Sequence, residues 1–158
     1  MPLDPAEFRQ ALSRFASGVT IVTIRTADEL HGMTASSFAS VSLDPPRVLV
    51  CLDKSSHTRS LLERSSSFAV NVLSAEQEPL SRAFASSGPK PFAGLAHKEA
   101  ENGAPLLDGA LAWIECTTTE IVDGGDHDVV IGEVTACSSA DGAPLIYFAR
   151  RYRSLGNE

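Results

Sequence analysis

Three groups of residues in this 158-residue chain have side-chain types and spacings that chemistry could use. The first is Asp53-Lys54-Ser55-Ser56-His57-Thr58, a hydroxyl-rich segment leading into a helical pattern from Arg59 to Arg64 with Leu61 and Leu62. A serine-rich loop feeding a helix offers hydroxyls and backbone N–H groups at the positive end of the helix dipole, an arrangement suited to an anion. Ser55 or Ser56 would serve equally as a plain N-cap, and one serine can do both. The second group is the four histidines, His31, His57, His97 and His127. His127 stands apart because Asp126 precedes it in the glycine-rich hairpin Gly124-Gly125-Asp126-His127, which limits the directions its ring can take. An imidazole so held can exchange a proton near neutral pH. His57 is the next candidate, and His31 and His97 read as structural. The third group is Cys51, Cys116 and Cys137, with no CxxC pair and no Cys/His cluster at ligand spacing. They predict reduced thiols and no metal site.

The stretch His31 to Pro46 is unlike a core strand in composition. It is rich in Ser, Thr, Ala and Gly, with Met33, Phe38, Val41 and Leu43 spaced through it. A core strand normally carries more branched bulk. Small polar residues in an extended run leave room for a flat or phosphorylated ligand near the backbone. Asp44-Pro45-Pro46 ends the stretch, since neither proline can continue a helix or a central strand.

The flanking elements follow from periodicity. Asp4 as N-cap, Pro5 at the first position and Glu7 predict a helix whose stripe Phe8, Ala11, Leu12 and Phe15 packs in the core, with Gly18 ending it. Val19 to Ile24 reads as a strand, and the His31 stretch as its antiparallel partner. Val48 to Leu52 and Phe68 to Leu73 read as further strands, and Glu76 to Ser86 as a helix with Leu80, Ala83 and Phe84 on one face. Ser86 to Pro91 reads as a mobile lid. Leu111 to Val122, Val129 to Ser138 and Leu145 to Ala149 complete six or seven strands with three short helices. The absence of βαβ alternation favours a mainly β, antiparallel barrel in a single domain over 1–158.

A net charge of −7 with no long basic run argues against nucleic-acid binding. No apolar run approaches the roughly 18 residues of a membrane span, and no signal peptide is evident, so a cytoplasmic protein is expected. No GxGxxG follows a strand, and no Walker loop or GxSxG elbow occurs.

Phe15-Ala16-Ser17-Gly18-Val19-Thr20-Ile21-Val22-Thr23, Gly32 to Pro46, Phe68 to Leu73 and Gly125-Asp126-His127 with Ile131-Gly132-Glu133-Val134 resemble, in order, the blocks of the flavin reductase family. That family has an FMN-binding split β-barrel, and the resemblance runs from about Phe8 to Tyr152. It implies a homodimeric enzyme that reduces FMN or FAD with NADH or NADPH and supplies reduced flavin to a partner monooxygenase. By the same resemblance Thr34, Ala35, Ser36 and Ser37 would lie along the flavin, and Cys51, Leu52, Asp53 and Lys54 would border its ring. Ser55, Ser56 and Thr58 would receive the phosphate, Lys90 would add charge there, and Phe84 and Phe92 would border the pocket. His127 would approach the nicotinamide. Two alternatives are a flavin-binding electron carrier without turnover and a pyridoxamine-phosphate oxidase-like enzyme on the related barrel.

Overall fold

In a computed structural model, which describes residues 1–156, Asp4 starts the first helix (α1, Pro5–Leu12) by accepting the Ala6 N–H at 2.8 Å. The helix stops at the Ser13 cap, well before Gly18, which instead belongs to a two-residue strand (β1, Ser17–Gly18). Its apolar stripe is not core: Phe8 is 51% and Phe15 80% exposed. Periodicity shows that a helix has an apolar face, and here none of the described residues covers it.

The β-branched run forms β2 (Thr20–Arg25), which pairs antiparallel with β3 (Leu30–Ala35) across a turn closed by the Thr26 N–H on the Glu29 carbonyl. The stretch from His31 to Pro46 is two strands, not one. β3 gives way at Ser36-Ser37 to β4 (Phe38–Leu43), which pairs with β5 (Pro46–Asp53) rather than with β2. A five-residue helix follows (α2, His57–Leu61), then β6 (Ser67–Val72). A single 3-10 turn, Ala75–Gln77, leads into α3 (Glu78–Ala85), with Pro79 in the first turn, where its missing N–H costs nothing. Two short strands not evident in the sequence, β7 (His97–Glu99) and β8 (Pro105–Leu107), form a hairpin. The long hairpin of β9 (Ala112–Asp123) and β10 (His127–Ser139) comes next, then β11 (Ile146–Phe148) and β12 (Arg151–Arg153), which join β1 in a three-stranded sheet.

The main sheet has the order β3-β2-β6-β9-β10-β5-β4, and every pairing is antiparallel. Its two edge strands, β3 and β4, are consecutive in the chain and separated by two residues. The sheet therefore curls until its edges meet, giving a barrel split at Ser36-Ser37. Ser37 extends the β4–β5 pairing by one residue, its hydroxyl donating to the Cys51 carbonyl at 2.9 Å and its carbonyl accepting the Cys51 N–H. Side chains alternate about each strand. Val22, Ile24, Ala35, Val48, Val50, Leu52, Phe68, Val70 and Val130 fill the interior, and Leu61 and Leu62 of α2 pack into the same core. The outer face of β2, with Val19 and Ile21, lies against Phe84 of α3, Leu73, Leu107 and Leu145 in a second core. α3 lies close because β3 has Gly32 beneath it: a Cβ there would stand 2.7 Å from the Phe84 ring.

Candidate active site

The end of β5 and the start of α2 are organised by Asp53. Its carboxylate accepts the Ser55 N–H at 2.7 Å and the Ser55 hydroxyl at 2.6 Å, and its carbonyl accepts the Ser56 N–H. These donations, that of the Ser55 hydroxyl foremost, hold the Asp53 carboxyl below its ordinary range. Ser56 is the N-cap of α2, its Oγ accepting the Arg59 N–H at 3.1 Å. Because Oγ acts there as an acceptor, the hydroxyl hydrogen of Ser56 is left to donate. Thr58 is buried, its hydroxyl 3.0 Å from His31 Nε2.

Ser56, Thr58, Lys90, Glu29, His31 and His57 line one cleft of about 770 Å³ between α2, the start of β3 and the segment after α3. Lys90 folds that segment back. Its ammonium donates to the Phe84 carbonyl at 3.1 Å and to the Ser86 carbonyl. Among the described residues no carboxylate lies within ion-pair distance of it. Burial pushes its pKa down. Burial first, then His57 and Lys90 nearby, bring the His31 pKa down to about 4.

The remaining expected site residues are distributed on several faces. Leu52 is fully buried in the barrel, whereas its neighbour Cys51 is half-buried and faces outward, so the two side chains point to opposite faces of β5. Ala35 likewise points inward and is buried. Thr34 sits beneath α3, its hydroxyl donating to the Ser81 carbonyl at 2.6 Å, and with Ser36 it lines a separate hollow of about 200 Å³ beside Tyr147 and Tyr152. Phe84 has no exposed surface and stacks edge-on to Phe92, itself packed in the second core, so both support the cleft from behind. Lys54 is bound to Asp123 at 2.8 Å, next to the Arg59–Asp128 pair at 2.6 Å.

His127 is the first residue of β10 rather than part of the turn, and it lies opposite Asp53 in the ladder. Its Nδ1 is 2.8 Å from Asp126 Oδ1. Gly125, at φ 105°, supplies the left-handed backbone that the hairpin needs just before it. His127, Asp53 and Cys51 share the outer face of the barrel, whereas Ser56, Thr58 and Lys90 share the cleft. Sequence reasoning missed Glu29, which comes to the cleft through the β2–β3 turn. No local signal marked it, because its partner His57 lies far along the chain.

An antiparallel seven-stranded sheet curled into a barrel and split between consecutive strands is the fold shared with solved flavin reductases. The chain belongs to the flavin reductase family: residues 12–156 match the flavin reductase like domain. It is 38% identical over 159 residues, 99% of this chain and 85% of the relative, to the reductase subunit HsaB of a flavin-dependent monooxygenase from Mycobacterium tuberculosis (strain CDC 1551 / Oshkosh). It is 39% identical over 162 residues, 97% of this chain and 88% of the relative, to an NADH-dependent flavin reductase from a Rhodococcus species. Among solved structures, the Streptomyces globisporus C-1027 NADH:FAD oxidoreductase SgcE6, in complex with NAD and FAD fragments, matches with a TM-score of 0.92 and 36% identity. That match covers 99% of this chain and 97% of the other.

Proposed function

We propose that the protein is an NADH-dependent flavin reductase, one domain over 1–158, that reduces FMN or FAD and supplies the product to a partner monooxygenase. The observation that carries this reading is the family match over 12–156 together with the Ser56–Lys90 cleft. The residues present fit a flavin phosphate. Lys90 is half-buried and has only neutral carbonyl partners among the described residues, so its ammonium has no carboxylate competing with an anion, while the Ser56 hydroxyl has a hydrogen to donate.

When bound, the flavin accepts a hydride from the nicotinamide, and that bond chemistry belongs to the cofactors. The chain's part is to hold and orient. Lys90 and Ser56 would fix the phosphate, and Asp53 would hold the Ser55–Ser56 turn in shape for it. At Ser36-Ser37, where the ladder lapses, small residues let a flat ring approach the backbone. Asp126 engages His127 at Nδ1, which leaves Nε2 as the atom able to orient a nicotinamide amide or hold a proton.

A homodimer is part of this reading. Leu49, Cys51, Val129 and Ile131 form a half-buried apolar outer face of β5 and β10, and Val122, paired with Val129, is 41% exposed beside them. Apolar surface of that extent suits a second copy. A cytoplasmic location agrees with three free cysteines and with no described helix being long and apolar enough to cross a membrane.

The deciding experiment mixes the protein anaerobically with NADH and either FMN or FAD and follows the flavin's visible absorbance. Bleaching at catalytic rates is expected. No bleaching with either flavin overturns the reading, and a bound yellow cofactor that NADH leaves oxidised selects the electron carrier instead.

A further inference from the structure

We propose that Glu29, His31 and His57 bind one zinc-class divalent cation at the wall of the cleft. Their ligand atoms, one from each residue, lie within 4.8 Å of one another. Two imidazoles and a carboxylate are a donor set that zinc takes with a fourth position open. Softer metals would want thiolate and harder ones more oxygens. No step assigned to the flavin or nicotinamide uses these three side chains as a set.

The three ligands come from three rigidly connected places. Glu29 closes the β2–β3 turn, whose Thr26 N–H is bound to the Glu29 carbonyl at 3.0 Å. His31 is on β3, paired with Ile24, and buried; the Thr58 hydroxyl at 3.0 Å from Nε2 fixes its ring plane. His57 opens α2, and the Ser60 hydroxyl lies near its Nδ1 at 3.4 Å, which leaves Nε2 turned to Glu29. Hydroxyls placed behind ligating imidazoles are the outer partners that set ring orientation in metal sites.

His57 Nε2 already stands 3.0 Å from both Glu29 oxygens, and the two imidazole rings meet edge to face at 4.8 Å between centroids. Metal bonds of about 2.0–2.2 Å draw tetrahedral ligands to slightly over 3 Å apart, so the cluster must close by small side-chain rotations. The two residues that would move are the freer ones, with His57 and Glu29 side chains 55% and 35% exposed, while His31 stays fixed. The ion pair they give up is of the partly exposed kind that contributes little. The remaining coordination position opens to the cleft, where a water or a phosphate oxygen completes the sphere.

The test is calorimetric titration of ZnCl₂ into chelator-stripped full-length protein with no nucleotide present. One equivalent should bind per chain, weakened at least about tenfold by His57→Ala and by Glu29→Gln. Both changes are at partly exposed side chains, and circular dichroism checks that the fold is kept. His97→Ala, outside the cluster, should leave the affinity as it was. Loading with Co²⁺ should give the visible d–d absorption of a four-coordinate ion, lost in His57→Ala. Absence of saturable Zn²⁺ binding, binding untouched by both cluster variants, or a six-coordinate Co²⁺ spectrum overturns the proposal. Because no flavin or nicotinamide is in the cell, the result stands or falls separately from the reductase reading.

Discussion

His127 and Lys90 occupy different faces of the barrel, so their loss should register in different kinetic constants. On the proposed function, replacing His127 by Ala removes the imidazole that would face the nicotinamide but touches nothing in the cleft. Turnover should fall by about 10²-fold, the low end for a positioned proton-transfer group, with flavin Kd nearly unchanged. Equal loss of both, or no loss, removes His127 from that role. Lys90→Met should do the reverse. Losing a charge-assisted hydrogen bond of about 1.5–3 kcal/mol weakens flavin binding by at least tenfold, read by equilibrium titration, while kcat at saturating flavin holds. The Asp126–His127 contact was legible in the sequence because the two residues are adjacent. That Lys90 and Ser56 line one cleft was foreshadowed only by the family's pattern, because the two are far apart along the chain and the fold brings them together. Leu52 and Phe84 were expected at the ligand, yet strand alternation turns one inward and helix packing buries the other.

Among the elements, α3 sits on β3 at a distance that Gly32 permits. Gly32→Ala places a methyl group 2.7 Å from the Phe84 ring, which must shift along with the helix that carries it. Overpacking of this kind costs about 1–3 kcal/mol, so the urea midpoint should fall with the slope unchanged. An unaltered midpoint would mean that α3 moves freely on the sheet. The strands β2, β5 and β6 were readable because β-branched and apolar runs report a pleated surface whatever lies around it. The division of the His31–Pro46 stretch at Ser36-Ser37 was not, because it arises where the barrel's edges meet, a long-range closure that local residue types do not encode. The exposed stripe of α1 was misread for a related reason: an apolar face calls for a partner but does not say which.

For the whole molecule, the absence of βαβ alternation sufficed to predict an antiparallel barrel, while strand order depended on pairings remote in sequence. The uncovered outer face of β5 and β10 makes assembly testable. Val129→Asp puts a charge at the middle of that face, beside Cys51 and Val122. Sedimentation velocity should shift from dimer to monomer with far-UV circular dichroism preserved. A wild-type chain that sediments as a monomer would count against the homodimer.

One edge of the split barrel bears on how the protein survives at high concentration. β4 is an outermost strand, and its register against β5 is interrupted between Ser40 and Ser42 before the chain reaches Pro45-Pro46. An uninterrupted outer strand is a template on which another chain can add and propagate a fibre. The break in register falls at Val41, and the pair of prolines follows Leu43, so the two exposed apolar residues of the strand sit where that template is interrupted. The same few residues that end the small-residue stretch are of the kind that blunt an edge strand against pairing with another chain.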